Sequence, residues 1–98
     1  MMAINQLMAF YVAIVDDKGI TTSHISLYMA LFKCWNLNNN QNPVFINRQN
    51  IMQIAKINGQ ATYHKCMKEL QDLGYIEYKP SYHPILGSQV YLNKLELD

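Results

Sequence analysis

Apolar residues recur at spacings of three and four along four stretches of the chain, and two shorter stretches near the C-terminus alternate in polarity. Residues 4–15 place Ile4, Leu7, Met8, Tyr11, Ile14 and Val15 on one stripe. That spacing predicts a helix, and Phe10 and Val12 widen its apolar side beyond what a lone surface helix needs. Asp16, Asp17, Lys18 and Gly19 then make a turn, after which Thr21, Thr22 and Ser23 offer hydroxyl N-caps for a second helix. It carries Ile25, Tyr28, Leu31, Phe32 and Trp35 on one side and ends near Asn36. From Asn36 to Pro43 nearly every residue bears a side-chain amide, which competes with the backbone for hydrogen bonds and predicts an exposed loop. Val44, Phe45 and Ile46 suffice for a short strand, and Asn47 is a good N-cap for a third helix carrying Ile51, Met52, Ile54 and Ala55.

The stretch from Lys56 to Gly59 reads as a tight turn into a fourth helix. There Tyr63, Cys66, Met67, Leu70 and Leu73 share one face, and Gln60, Thr62, His64, Lys65 and Lys68 lie largely off it. Gly74 stands where a left-handed cap is expected, so this helix ends at about Leu73. Tyr75 to Lys79 and Gln89 to Leu95 read as two strands, joined by a long connection in which Pro80, Pro84 and Gly87 limit freedom. The predicted order is helix, helix, short strand, helix, turn, helix, strand, strand. No internal repeat or linker interrupts it.

Ninety-eight residues, half of them hydrophobic, suffice for a single domain over 1–98 but not for an enzyme with two lobes around a cleft. No apolar run nears the roughly 20 residues of a membrane span, and the N-terminus lacks the basic region and cleavage site of a secretory signal, so a cytoplasmic location without membrane contact is expected. Cys34 and Cys66 fall on apolar helical faces and read as buried free thiols. His64 and Cys66 are two apart on a helix and point to different faces, so no metal site is expected. Ser23, Ser26, His24, His64 and His83 come without a strained elbow or a glycine-rich loop, so no catalytic residues, no enzyme activity and no cofactor are expected. A small-molecule ligand is not evident either.

Charge changes the picture through its distribution. The formal net charge is only +1, yet Lys18, Lys33, Arg48, Lys56, Lys65 and Lys68 span a stretch without Asp or Glu, and the acids lie before and after it. If the fold keeps the two sets apart, the surface is polarised. Lysines scattered for solubility are the alternative.

Two helices joined by a short turn, preceded by a core helix and followed by two strands, resemble the winged helix-turn-helix family of DNA-binding proteins over Ser23 to Leu95. The segments ISLYMALFKCWN (25–36), ATYHKCMKEL (61–70) and GYIEYKPSYHPILGSQVYL (74–92) are similar to small winged-helix transcriptional regulators of Bacteroidetes chromosomes and mobile elements. The resemblance implies an α+β, mainly helical fold: a winged helix-turn-helix core over 23–95 with a two-stranded wing and an additional N-terminal helix within 1–19. It also implies sequence-selective binding of double-stranded DNA. Winged helices serve as protein-interaction modules too, so that alternative stands beside it.

On the DNA reading, Gln60, Ala61, Thr62, His64 and Lys65 occupy the first turns of the recognition helix, where side chains reach base edges. Lys68, Arg48 and Lys56 are placed to meet phosphates. The resemblance puts Lys79, Ser81, Tyr82, His83 and Gln89 at or beside the wing tip, for phosphate or minor-groove contact, while packing of Tyr82 and His83 against their own loop fits equally. The aromatic residues Tyr28, Phe32, Trp35, Tyr63, Tyr75 and Tyr91 are core by their spacing rather than stacking platforms for single strands. For residues 4–15 two roles are open: a two-fold interface making a homodimer, or packing wholly within the monomer.

Overall fold

The computed structural model describes residues 2–81, 83 and 85–96. It is α+β and mainly helical: α1 (Met2–Ile14), α2 (Thr22–Leu37), β1 (Val44–Ile46), α3 (Arg48–Ala55), α4 (Gln60–Asp72), β2 (Ile76–Lys79) and β3 (Ser88–Leu92). The strands form one antiparallel sheet in the order β1-β3-β2, with Val44 opposite Val90 and Tyr78 opposite Val90 across the central strand. The predicted pair of strands is thus extended by the short β1. Pro43 has no N–H to continue that ladder. The side-chain amide of Asn42 takes over, accepting from the Leu92 N–H at 3.0 Å and donating to the Leu92 carbonyl at 2.9 Å.

The core gathers Leu27, Tyr28, Leu31 and Trp35 of α2, Ile51 and Ala55 of α3, Tyr63, Met67 and Leu70 of α4, and Val44, Ile46, Ile76, Val90 and Leu92 of the sheet. The buried side of α2 is rotated from the predicted one: Ile25 and Phe32 are only half-buried, and His24 is buried. His24 can be inside because both of its ring nitrogens are used. Nδ1 accepts from the Thr21 N–H at 3.0 Å and lies 2.8 Å from the Thr21 hydroxyl, capping α2, and Nε2 lies 3.1 Å from Glu69 Oε1 on α4. A ring nitrogen that accepts a backbone N–H carries no proton, so the proton sits on Nε2 and is donated to Glu69.

Gly74 has φ +87° as its place after a helix requires. The Tyr75 N–H reaches the Leu70 carbonyl and the Gly74 N–H the Gln71 carbonyl, both at 3.0 Å, which makes a Schellman cap. Tyr75 therefore belongs to the cap, β2 starts one residue later than predicted, and Leu73 is exposed rather than on the buried stripe. β3 also stops early, at Leu92 rather than Leu95. Beyond it the chain bonds to a side chain instead of a strand: Gln6 Nε2 donates to the Asn93 carbonyl at 2.8 Å, and the Leu95 N–H donates to Gln6 Oε1 at 3.2 Å.

That buried glutamine ties α1 to the fold, and Phe10 completes the attachment. Phe10 is fully buried, stacked on Tyr28 with ring centroids 3.7 Å apart and edge-on to Tyr75 at 5.3 Å. The face of α1 that packs inward is thus the one bearing Gln6, Ala9 and Phe10. Ile4, Met8, Tyr11 and Val15, which dominate the predicted stripe, are exposed on the other side together with Val12.

Burial has a consequence for alkaline stability. Desolvation pushes the Tyr28 phenol up to about 12, with its Gln6 hydrogen bond opposing. Burial also raises Tyr63 and Tyr75, the latter further as its hydroxyl donates to Asp17 Oδ2 at 3.2 Å, and it raises the Cys34 and Cys66 thiols from 9.0. Each group ionises more readily unfolded than folded, so its contribution is complete below its unfolded value and is lost as pH rises toward its folded value. The unfolding midpoint in urea should fall from about pH 9 and steeply between pH 10 and 12. A midpoint level from pH 8 to 11 would show these groups are not desolvated.

Candidate functional site

The two helices that carry most of the candidate residues are set by local signals. Asn47 N-caps α3 by accepting the Asn50 N–H at 3.1 Å, and Lys56 closes it in the left-handed conformation at φ +61°. The Ser26 hydroxyl donates to the Ala55 carbonyl and pins this end of α3 to α2. Gly59 then caps α4 without a side chain, so α4 begins with its first amides uncovered. Tyr63, Cys66, Met67 and Leu70 face inward, which turns Gln60, Ala61, Thr62, His64, Lys65 and Lys68 outward. All six are exposed.

Lys68 is not a free cation. Its Nζ lies 2.9 Å from Asp72 Oδ2, one turn along α4, and that hydrogen bond holds the ammonium above its usual range. The expected separation of cations from acids therefore fails at this helix, because the first acids after the basic stretch fall on the same helix. Glu69, one of them, turns toward His24.

Arg48, in the first turn of α3, and His64 meet the β2–β3 connection across a cleft of about 700 Å³. Ser81 and His83 line it from that connection, and Tyr78, Ile85 and Leu86 also border it. The connection is held by its own side chains: the Ser81 hydroxyl accepts the His83 N–H at 3.1 Å, and His83 Nδ1 accepts the N–H groups of Ile85 and Leu86, each at 3.2 Å. His83 is therefore oriented by its loop while it stays exposed. Gly87 brings the chain back onto β1 at φ +75°, where a Cβ would run into the Ile46 carbonyl oxygen. Tyr82 lies outside the described residues.

Other candidates stay apart from the cleft. Lys79 alternates to the opposite side of the sheet from Tyr78, with its Nζ 5.2 Å from the centre of the Tyr91 ring. Gln89 sits half-buried near the start of the central strand, opposite both Phe45 and Lys79. Lys56 is exposed at the turn between α3 and α4. Sequence reading missed the apolar border of the cleft. Its signal was the adjacent pair Ile85 and Leu86 in an otherwise polar connection, 85% and 57% exposed.

Among the described residues, no three His, Cys, Asp or Glu side chains converge as a metal site would need, and no helix is long and apolar enough to cross a membrane. Compared with models of protein families, with curated proteins and with solved structures, the chain matches none.

Proposed function

We propose that this is a winged helix-turn-helix protein that binds double-stranded DNA sequence-selectively, as a transcriptional regulator or an accessory factor of a mobile element. In this reading α3 and α4 are the helix-turn-helix, α4 enters the major groove, and the β2–β3 hairpin is the wing. The observation that carries it is the outer face of α4, where Gln60, Thr62, His64 and Lys65 are all exposed next to the cationic first turn of α3 and beside a hairpin. Glutamine pairs with adenine edges, and threonine and alanine methyls suit thymine. The protein works as a homodimer, joined through the outer face of α1. A protein-interaction module is the second reading, favoured by the pairing of Lys68 with Asp72 and by the net charge of +1.

Selection of bound sequences from a random DNA pool tests the proposal. On the selected site, alanine at Gln60, Thr62 or His64 should change base preference, and a lost bidentate contact should cost about 1–3 kcal/mol. Lys65→Gln should weaken selected and random DNA alike and lower the slope of log affinity against log salt by roughly one. Lys68→Gln should do less, since Asp72 already holds that ammonium. A salt slope near zero in the unmodified protein would favour the interaction module.

A further inference from the structure

We infer that the cleft between α4 and the β2–β3 connection is a binding site for a small amphipathic carboxylate, an apolar body with one anionic end. Its volume of about 700 Å³ lies within the span of small-ligand pockets. Arg48 supplies a permanent charge and a planar fork that matches a carboxylate with two parallel hydrogen bonds. His83 presents a donor: its Nδ1 is occupied by two loop amides, which leaves the proton on Nε2. No Asp or Glu is among the described residues that line the cleft. The nearest acid along β2, Glu77, alternates to the other side of the sheet from Tyr78.

The apolar half of the argument comes from the rim. Ile85 and Leu86 leave 85% and 57% of their surface in water although each borders a concavity, and Tyr78 continues the apolar border inward. An occupant with an apolar body removes that surface from water, which favours its binding. A bare phosphate does not. Charge and apolar surface together therefore select a molecule with both, and Ser81, His64 and His83 add polar side chains to the lining.

The consequence for DNA rests on the reading proposed above: Arg48 and His64 serve both surfaces, so a carboxylate in the cleft and DNA on α4 exclude one another. The site itself does not depend on that reading.

Titration of the full chain with 1-naphthoate, followed by amide chemical shifts, tests the site, with 1-naphthamide as the neutral counterpart. Saturable shifts are expected at residues 45–48, 64 and 85–88, with affinity at least about tenfold weaker for the amide and for Arg48→Gln, and weaker for Ile85→Ser. Both substituted positions are exposed, so both variants should fold, and the comparison of acid with amide needs no variant. Equal binding of acid and amide, shifts on the outer face of α1, or no saturation at about 10 mM would overturn the site. Naphthoate that fails to saturate while selected DNA still binds defeats this inference alone. Naphthoate that saturates in the cleft of a protein binding no DNA upholds the site and defeats the DNA reading alone.

Discussion

Phe10→Ala should lower the free energy of unfolding by about 3–5 kcal/mol, the cost of emptying a large aromatic site in a packed core. Small domains hold only about 5–15 kcal/mol in all, so the variant should be partly unfolded at ambient temperature or lose much of its urea midpoint. The ring is wholly buried, its stack on Tyr28 and its edge contact with Tyr75 join α1 to α2 and to the cap of α4, and no neighbouring side chain can fill its place without leaving its own. The control lies one residue past the end of the same helix. Val15→Ala, at a position 80% exposed, should change stability by less than about 0.5 kcal/mol. Urea unfolding followed by circular dichroism reads both. If Phe10→Ala and Val15→Ala behave alike, α1 is an appendage and the fold begins after it.

The same helix shows where sequence reading stops. Its period was plain, but an apolar pattern that runs nearly all the way round does not say which side faces in. That choice was made by a polar residue: Gln6, whose amide bonds the carbonyl of Asn93, the N–H of Leu95 and, at 3.0 Å, the Tyr28 hydroxyl. Partners 87 and 89 residues away leave no local trace. His24 is similar. Its capping bond to Thr21 was open to inspection three residues away, but its burial depends on Glu69, 45 residues on. Signals confined to one turn were legible. The Asn47 cap, the Gly74 cap, the inward face of α4 through Leu70 and the order of the elements all follow from residues within a few positions of one another. The cleft is not of that kind, since β1, the hairpin connection and single residues of α3 and α4 meet there from distant parts of the chain, and an isolated Ile-Leu pair in a loop does not say what it borders.

On the homodimer and DNA-binding reading proposed above, Met8→Glu should convert a dimer to a monomer and weaken binding to a two-fold DNA site by about a hundredfold or more, while stability changes by less than about 0.5 kcal/mol. Met8 lies within an exposed stripe of Ile4, Met8, Tyr11 and Val12 on one side of α1 away from Phe10, continued by Val15 just past the helix end. The two-fold pairing proposed for this stripe would cover it in both copies and set the distance between two copies of α4. Glutamate at Met8 then puts like charges into an apolar seam, and the loss should appear in association because the side chain is half exposed in the monomer. The second half-site loses the effective concentration that the first one confers, which is why DNA affinity drops without any change at α4. Sedimentation and binding to one half-site separate the effects: half-site affinity should be unchanged. A monomer for the unmodified chain at tens of micromolar, or equal loss on half-site and full site, would mean that the outer face of α1 does not join two copies.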